Sequence, residues 1–465
     1  EYADRSKARN LVELMAVRDV YPKGEIPEDD RRRLQELRRQ IDEENRRLAA
    51  DPNPDYSQIE KLRQEYRHKF PYEPLTYEQI QTLTGNNTAI IEWYILSDTF
   101  VAFVVLPDRG DAPLYFWQSS PDDLQNLVDW RNDYLTNYRS NRKGWRTDLA
   151  AKLPRLAEIL HLDELLANIP ETCDKLVLVP HRYLHLFPLH ALPIKNEKLK
   201  IKKGKECLLD AFPGGVAYAP NCQLLKVARS KQNREFRSLF AIQNPTGDLA
   251  YTDIEVQNIR QLFDPQRVFA RDAATKEAIF PHLTEKNTTV AHCAHFSCHG
   301  YFNFNNPLLS ALLLADAELP PPPPPKPDPE RYLPLKDDRT LDLQKCLTLT
   351  DIFELDLSQC RLVTLSACET GVTDFTSTSD EYIGLPNGFL LAGAPNVVSS
   401  LWTVSDISTA LLMLKFYQNL KASAGKDVTI ALNQAQTWLR DAMTPQLKTW
   451  VSSLQLEDDD RRTID

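Results

Sequence analysis

The sequence lacks the features that would place it in a membrane or a secreted class. No stretch approaches the roughly 18 consecutive apolar residues of a transmembrane helix. Residues 1–5 are charged, without an initiator methionine or a signal-peptide pattern, so we expect a piece of a longer protein. The eight cysteines lie far apart and show no paired spacing of a disulfide scaffold. These observations favour a cytoplasmic protein with reduced thiols.

An excess of positive charge is also lacking, because 65 Asp and Glu residues outnumber 55 Lys and Arg residues. A formal net charge of −10 argues against general binding of nucleic acid or other polyanions. An acidic protein attracts basic substrates more easily, although solubility alone also explains this charge. The hydrophobic fraction of 42% and the charged fraction of 26% are ordinary for a soluble globular protein. A chain of 465 residues has room for about two or three domains.

Residues 1–73 are predicted to form a helical segment. Leu11, Leu14 and Met15 recur at helical spacing, and residues 29–48 and 57–68 are rich in Arg, Glu and Gln. Highly charged helices of this kind pack as a hairpin or arm on a neighbour, or are largely solvated. No internal repeat is visible in this segment.

From residue 74 onward, apolar strands alternate with helices. This pattern predicts an α/β fold with two units in tandem, residues 74–228 and 229–465, each with a mostly parallel sheet flanked by helices. In such sheets, catalytic groups gather where the strands end. The predicted strands are residues 88–96, 99–106, 175–180, 238–242, 267–270, 290–297, 311–315, 361–366 and 396–402.

A proline-rich insertion interrupts the second unit at residues 320–329, beginning with six consecutive prolines. It is typical of an exposed polyproline segment. Two interpretations stay open: a spacer or surface loop, and a docking site for a proline-reading module. We expect its deletion to be tolerated, because shortening a long surface loop costs little entropy.

Two segments carry reactive side chains at the ends of apolar strands: residues 292–300 and 364–371. A cysteine nucleophile needs a nearby base to form its thiolate and backbone N–H groups to hold the oxyanion. Cys368 and His299 would supply the nucleophile and the base. The N–H groups of Gly300 and Cys368 would hold the oxyanion, and a glycine at position 300 suits a tight turn with close backbone approach.

Alternatives exist for each of these residues. A buried cysteine often acts only as a small hydrophobe, and residues 292–299 would bind zinc if a second ligand pair lay nearby. His292 and His295 are rivals for the base, and spacing alone does not choose among the three. The following glycine and the position at the strand's end favour His299. We interpret His181, His185 and His190 as structural.

At the motif level the chain resembles the CHAT family, the caspase-like domains associated with tetratricopeptide repeats. Ser297-Cys298-His299-Gly300 and the sequence Leu-Ser-Ala-Cys-Glu-Thr-Gly at 365–371 resemble its two catalytic motifs. Residues 177–192, 306–310 and 393–402 are similar to three more of its stretches, so the resemblance covers roughly residues 75–442. Residues 2–15 are similar to the segment that leaves a tetratricopeptide array. Within the family the chain most resembles HetF-like proteins of cyanobacterial heterocyst differentiation, and separases are distant relatives.

The resemblance implies a regulatory cysteine endopeptidase with a Cys368/His299 dyad. It implies an acyl-enzyme mechanism on a protein substrate, no third catalytic side chain, no cofactor and no metal. An upstream tetratricopeptide-type region would bind partners. The competing interpretations are a non-catalytic scaffold with a vestigial dyad and, more distantly, a zinc or redox module.

The resemblance also implies a specificity. In caspase-like folds the substrate adds as an extended strand beside the strand that would end at Trp402, so Ser400 and Trp402 would line the groove. In separase-like relatives an acidic residue in a similar Leu-Trp-x-Val-x-Asp stretch receives the arginine before the scissile bond, and Asp406 matches it. The alternative for Asp406 is an N-cap of the following helix; both interpretations stay open.

Overall fold

The computed structural model describes most of the chain after residue 74 and scattered residues before it. The described residues from 29 to 65 are helical, as predicted, and Arg33 Nε donates to Glu65 Oε1 at 2.8 Å, joining two helical stretches. The described ranges are 75–108, 114–195, 207–231, 235–284, 291–303, 306–321, 331–335, 339–367, 384–423 and 427–454, with residues 328 and 425 and single residues or short groups between 3 and 65.

Lys7 anchors the N-terminal segment on the following α/β unit. Its side chain is fully buried: Nζ donates to the Val179 carbonyl at 3.1 Å and lies 3.0 Å from Glu92 Oε1. Asn221 donates to the Lys7 carbonyl at 2.8 Å. Because a buried ammonium group needs a partner of opposite charge, the Glu92 carboxylate explains how this lysine is accommodated.

The first sheet has five strands in the order β3-β2-β1-β4-β5. β2 pairs antiparallel with β1 and β3, whereas β1, β4 and β5 run parallel. β1 is nearly all apolar and buried, as expected for a central strand, and edge strand β3 alternates exposed and half-buried residues. The strands are β1 (Thr88–Ile95), β2 (Phe100–Val105), β3 (Leu114–Gln118), β4 (Lys175–Val179) and β5 (Gly215–Tyr218).

Within the part of the chain that the structure describes after residue 74, six helices accompany this sheet. Residues 142–166 form two helices rather than one, because His161 takes a left-handed conformation with φ +48°. Ser120 begins the long helix before them with a capping box, and Pro121 follows at its first position. The helices are α1 (Tyr77–Thr82), α2 (Pro121–Ser140), α3 (Arg142–Ile159), α4 (Leu162–Leu166), α5 (Leu208–Ala211) and α6 (Cys222–Ser230).

The second half of the chain builds a five-stranded, fully parallel sheet in the order β16-β15-β8-β6-β7 and two small antiparallel sheets. Its central strands β6, β8 and β15 are buried along their whole length. The strands are β6 (Leu239–Gln243), β7 (Gln266–Ala270), β8 (Cys293–Ser297), β9 (Gly300–Tyr301), β10 (Ala311–Leu312), β11 (Glu318–Leu319), β12 (Tyr332–Pro334), β13 (Thr340–Asp342), β14 (Leu347–Thr348), β15 (Leu362–Ser366) and β16 (Val397–Val398).

Helices cover both faces of this parallel sheet. Apolar side chains of the α8, α9 and α10 segments join one core cluster, and those of α7, α11 and α12 join another. This arrangement confirms the predicted α/β fold class. The helices are α7 (Ala250–Arg260), α8 (Lys276–Thr284), α9 (Leu349–Ile352), α10 (Leu385–Leu391), α11 (Asp406–Ala422), α12 (Val428–Asp441) and α13 (Thr444–Ser452).

Polar contacts join the two halves through α12. Asn433 donates to the Leu209 carbonyl at 2.9 Å, and Arg440 lies 2.8 Å from the Asp210 carboxylate. Lys175, at the start of β4, pairs with Asp427 just before α12. In the part of the chain that the structure describes, no helix is both long and apolar enough to cross a membrane.

Two strand predictions were too long. The strand predicted at 311–315 pairs only over β10, and that predicted at 396–402 pairs only over β16. Beyond Val398 the backbone leaves the sheet, because Ser400 and Thr403 bond to other parts of the protein. The sequence also did not predict β3, β5 or, apart from β10, the strands of the small sheets.

The proline insertion connects the two edge strands of the β11-β13-β12 sheet. Residues 322–327, 329 and 330 lie outside the described residues. Before the insertion, Leu319 pairs with Thr340, and after it Tyr332 pairs with Asp342. The connection from Leu319 to Tyr332 must therefore pass from one side of β13 to the other, with a shift of two residues along the strand. With strand spacings near 4.8 Å and a rise near 3.4 Å per residue, this is a span of about 12 Å.

The strand order argues against the expectation that all of residues 320–329 are dispensable. That deletion leaves Leu319 only three Cα steps from Tyr332, a reach of about 11 Å. We expect it to fray this sheet and to destabilise the protein by about 1–3 kcal/mol. Deleting only residues 321–325 leaves ample reach and should change stability little. Thermal unfolding of both variants checks this; equal melting temperatures would show that the crossing imposes no constraint.

Candidate active site

The carboxyl ends of three neighbouring strands meet at one edge of the parallel sheet. Ser297 at the end of β8 is in register with Gln243 of β6 on one side and Ser366 of β15 on the other. His299 follows β8 by two residues in the sequence, and Cys368 follows β15 by two. Cys368 itself lies outside the described residues.

His299 is presented at this edge with a carboxylate behind it. Its side chain is 32% exposed, and Nε2 lies 3.0 and 3.1 Å from the two carboxylate oxygens of Asp248. An ionised carboxylate can only accept a hydrogen bond, so the ring nitrogen that it contacts is the donor. The neutral ring then carries its proton on Nε2, and Nδ1 is the nitrogen that can accept one.

Asp248 is held by a tight loop between β6 and α7. Asn244, buried with φ +47°, donates to the Leu249 carbonyl at 3.0 Å and accepts from its N–H at 3.1 Å. The N–H of Gly247, with φ +78°, donates to the Asn244 carbonyl at 3.1 Å. A glycine adopts this left-handed conformation without strain. The loop therefore fixes Asp248 beside His299.

The surroundings of Asp248 favour its ionised form. Partial burial raises the pKa of this carboxyl, but a hydrogen bond from Thr246, at 2.5 Å, and the charge of His299 lower the pKa by more. The net result is a pKa below the ordinary aspartate value. Asp248 is thus a carboxylate at neutral pH and is suited to orient the imidazole and to stabilise its protonated form.

The sequence predicted no side chain behind His299, and the contact of Asp248 with its ring departs from that expectation. A signal was present: Asn244, Pro245 and Gly247 are turn-forming residues placed directly after an apolar strand. Their significance depends on β6 lying next to β8, which spacing along the chain does not reveal.

His295 occupies the buried middle of β8. Its Nε2 lies 2.8 Å from Glu255 Oε1, at ion-pair distance but without the alignment of a hydrogen bond, and Nδ1 lies 3.3 Å from the Tyr417 hydroxyl. Ser366 donates to the other Glu255 oxygen at 3.0 Å. Because His295 and Glu255 are almost completely inaccessible, this set braces the strand ends from inside the core and is not positioned to contact a substrate.

His292 and the neighbouring cysteines are also turned to structural contacts. His292 Nδ1 lies 2.8 Å from the Ser238 hydroxyl, at the opposite end of β8 from His299. Cys293 and Cys298 are buried, and burial raises the pKa of both thiols well above the ordinary value, which opposes thiolate formation. Among the described residues, no three His, Cys, Asp or Glu side chains are grouped to hold a metal.

Asp406 lies near the same edge. The structure places Ser405, not Asp406, at the N-cap of α11, so the N-cap interpretation of Asp406 is wrong. The Asp406 carboxylate instead accepts from the N–H of Tyr251 at 3.3 Å, in the first turn of α7. Burial raises its pKa; the Tyr251 N–H opposes the shift, and the nearby carboxylate of Glu255 adds to it.

The comparison with protein families decides the identity of this arrangement. The model of the CHAT domain matches residues 150–458, more than half of the chain. The chain belongs to the CHAT domain family. No curated protein matches it.

The CHAT domain thus begins inside α3 and includes β4 and β5 of the first sheet together with the whole parallel sheet. Its caspase-like fold agrees with the observed architecture. The match starts well before residue 229, where the second predicted unit begins, so the division into two units does not coincide with the family boundary.

Ser400 and Trp402 follow β16 of the CHAT domain. The Ser400 hydroxyl donates to the Ala367 carbonyl at 2.6 Å, next to Cys368 in the sequence. The Trp402 ring meets that of Trp145 edge-on, with centroids 5.5 Å apart, and the Thr403 carbonyl accepts from Arg146 at 2.7 Å. This segment is therefore clamped between the end of β15 and helix α3.

Gly300 differs from the expectation. It begins β9 and pairs antiparallel with Leu312 of β10, and the His299 carbonyl accepts from the Leu313 N–H at 2.9 Å. The backbone at Gly300 is extended rather than part of a tight turn. β10 of the CHAT domain thereby anchors the backbone at His299 and directly after it.

Replacing Asp406 with asparagine should not destabilise this CHAT domain at neutral pH. Because burial raises the pKa of Asp406 in the folded state, folding favours the protonated form, and stability falls as pH rises from the ordinary aspartate pKa through the raised one. Asparagine removes that cost and still accepts from Tyr251. We expect the free energy of unfolding to rise by at most about 1 kcal/mol, because the carboxyl group is partly solvated. This gain should shrink at acidic pH. Thermal unfolding against pH tests this; a loss at neutral pH would contradict it.

Proposed function

We propose that this CHAT protein is a cysteine endopeptidase that cleaves partner proteins after a basic residue, with Cys368 as nucleophile and His299 as base. The observation that carries the proposal is the Asp248–His299 pair at the carboxyl edge of the sheet, 3.0 Å apart. A carboxylate on one ring nitrogen leaves the other as the proton acceptor, which is the arrangement that a nucleophile's base requires. β15 ends at the same edge of the sheet, and the sequence motif at its end continues to Cys368.

The proposed reaction is acyl transfer. His299 Nδ1 takes the proton from the Cys368 thiol, and the thiolate attacks the scissile carbonyl carbon. The tetrahedral intermediate collapses to a thioester as the imidazolium returns the proton to the leaving amine. Water, deprotonated by the same imidazole, then attacks the thioester and releases the acid and the thiol. The N–H groups of Gly300 and Cys368 are our proposed donors to the oxyanion.

Electrostatics around His299 support a basic residue before the scissile bond. Asp248 lies 3.0 Å from His299. Asp406, whose pKa is raised mainly by burial, lies close enough to Glu255, His299 and Asp248 for their charges to act on its carboxyl group. A substrate guanidinium or ammonium group would balance this excess of negative charge. Asp406 is the proposed recipient, since ionising a half-buried carboxyl becomes favourable once a cation is beside it. The resemblance of its stretch to separases points the same way.

Ser400 and Trp402 enter the proposal indirectly. Their contacts with Ala367 and Trp145 fix the segment between β16 and α11, which leads to Asp406. We propose that this segment forms one wall of the substrate groove. Within the same proposal the enzyme acts in a cytoplasmic regulatory pathway, and an upstream tetratricopeptide-type region recruits its substrates.

The test is a thiol-reactive probe carrying a basic peptide, followed by a peptide series varied only at the residue before the scissile bond. Wild type should be labelled and Cys368→Ala should not. Asp406→Asn should lose cleavage of the Arg peptide by about a hundredfold, as expected for about 3 kcal/mol of lost charge pairing, and change the others little. A chain that the probe never labels would favour a non-catalytic scaffold, and an equal loss for every peptide would remove Asp406 from the specificity pocket.

A further inference from the structure

The loop that carries Asp248 lies between two neighbouring strand ends. β6, which leads into the loop, is the middle strand of β8, β6 and β7, and its last residue is in register with the last residues of both neighbours. Because the three strands run parallel, the residues that follow them leave the sheet at the same edge. His299 follows β8, and Arg271 directly follows β7. Arg271 therefore emerges on the opposite side of the loop from His299.

The backbone at Arg271 is unusual. Its φ is +52°, in the left-handed region that residues with a Cβ rarely adopt. The turn that follows is closed by the N–H of Ala274, which donates to the Arg271 carbonyl at 2.9 Å, and Ala274 itself is fully buried. Such conformations persist only where surrounding contacts enforce them, and they cluster at functional sites. The turn thus holds Arg271 in one place at the edge of the sheet.

The Arg271 guanidinium group contacts the loop at the residue before Asp248. Its Nη1 donates to the Gly247 carbonyl at 3.3 Å. That carbonyl belongs to the planar peptide unit that joins Gly247 to Asp248, so the contact restrains the plane from which the Asp248 side chain projects. A glycine backbone is more permissive than that of any other residue. A contact from outside the loop is therefore needed to hold the peptide in one orientation.

Asp253 holds the other arm of the same guanidinium group. It lies in α7 with a side chain only 14% exposed, and one of its oxygens pairs with Arg271 Nη2. Asn244, the first residue of the loop, donates to the same oxygen at 3.1 Å, and Gln243, the last residue of β6, donates to the other oxygen at 2.8 Å. A guanidinium group with two separate acceptors is fixed in orientation as well as in position.

An ordinary surface ion pair is the alternative interpretation of Arg271 and Asp253. The Arg271 side chain is 52% exposed, and exposed ion pairs contribute little to stability. The bond to the Gly247 carbonyl distinguishes the two interpretations, because an ion pair alone does not require it. We therefore look for the effect of Arg271 in the orientation of Asp248 rather than in the stability of the protein.

We propose that Arg271 is a positioning residue for the histidine base. Together with Asp253 it fixes the peptide between Gly247 and Asp248, so that the Asp248 carboxylate stays on Nε2 of His299. Arg271 acts through Asp248 and not on the reacting atoms. Its effect on cleavage rests on the proposed function, whereas its effect on the His299 ring does not. Without Arg271 the carboxylate leaves Nε2 part of the time, and the neutral ring then carries its proton on either nitrogen.

Two measurements on Arg271→Gln in the whole chain test the proposal. Steady-state kinetics should show kcat lowered about tenfold with KM changed less than about twofold. Nitrogen NMR with isotope-labelled histidine, at a pH where imidazole is neutral, should show the wild-type His299 ring protonated on Nε2 and the variant ring as a mixture of tautomers. The absence of the signal in His299→Ala assigns it. Arg271→Lys keeps the charge but reaches only one of the two acceptors, so it should give intermediate values in both measurements.

Arg267→Gln is the matched control, because Arg267 lies near the opposite end of β7 and contacts the His282 ring instead. It should behave as wild type does in both measurements. A double variant of Arg271→Gln and Asp248→Asn should have the kcat of Asp248→Asn alone, since Arg271 acts only through Asp248. Thermal unfolding verifies that each variant is folded.

Three results would each overturn the positioning role of Arg271: an unchanged His299 tautomer in Arg271→Gln, an equal change in Arg267→Gln, or losses in kcat that add up in the double variant. A wild-type chain that cleaves no peptide would count against the proposed function. The NMR comparison would then still decide whether Arg271 positions Asp248.

Discussion

Replacing either Cys368 or His299 with alanine is expected to abolish peptide cleavage, a fall in kcat/KM of about four orders of magnitude or more. Each change removes one half of a single proton-transfer unit, so the double variant should be no worse than either single variant. His299 is 32% exposed at a strand end, so its loss should leave the melting temperature nearly unchanged. Steady-state kinetics with the preferred peptide, together with thermal unfolding, measures both effects.

The control for this prediction has to be chosen from the structure. His295→Ala is unsuitable, because removing the fully buried His295 would open a cavity in the core beside the buried Glu255, a change that destabilises the protein by about 2 kcal/mol or more. His292→Ala is the matched control, since His292 lies at the far end of the same strand. It should retain activity. An active His299→Ala beside an inactive His292→Ala would show that the base has been assigned to the wrong histidine.

Asp248→Asn is expected to lower kcat by about a hundredfold or more while KM changes little. Asparagine no longer stabilises the imidazolium and favours the wrong ring tautomer, as replacement of the aspartate does in catalytic triads. Because the Asp248 side chain is 60% exposed, a merely structural role would predict a different outcome: a small change in stability and no effect on kcat.

A second variant separates the charge of Asp248 from its shape. Thr246→Val removes the hydroxyl that donates to Asp248, so the pKa of Asp248 should rise toward the ordinary value. Activity should then be near normal at neutral pH and fall off at a higher pH than in wild type on the acidic side. Asp248→Asn should instead be impaired across the whole pH range. A full pH profile of kcat for both variants distinguishes these results, and identical profiles would argue against an electrostatic role.

The parts of the fold that sequence predicts best are those set by local pattern. Continuous apolar runs such as those of β4 and β15 identify buried parallel strands, and the position of His299 beyond such a run predicts its place at the sheet edge. The partners of these residues could not be predicted in the same way. Asp248 reaches His299 only because β6 lies beside β8, and Asp406 meets Tyr251 only because α11 packs beside α7.

Strand ends were the least predictable feature. The sequence predicts one strand over residues 396–402, but pairing stops at Val398. After Val398, contacts that the local sequence does not reveal replace strand pairing. They are a hydrogen bond from Ser400 to Ala367 and a ring contact between Trp402 and Trp145. Backbone groups that leave a sheet need other hydrogen-bond partners. Here helices that are far away in the sequence provide some of these partners.

The clamp on residues 400–403 has a consequence for how specificity can diverge. Its outer half is made by Tyr138, Trp145 and Arg146, all of which precede residue 150, where the family match begins. Substitutions at these three positions would reshape the approach to Asp406 while leaving both catalytic motifs untouched. Under the proposed function, two proteins with the same dyad and the same motifs can therefore select different substrates through residues of α2 and the start of α3, which lie outside the shared domain match.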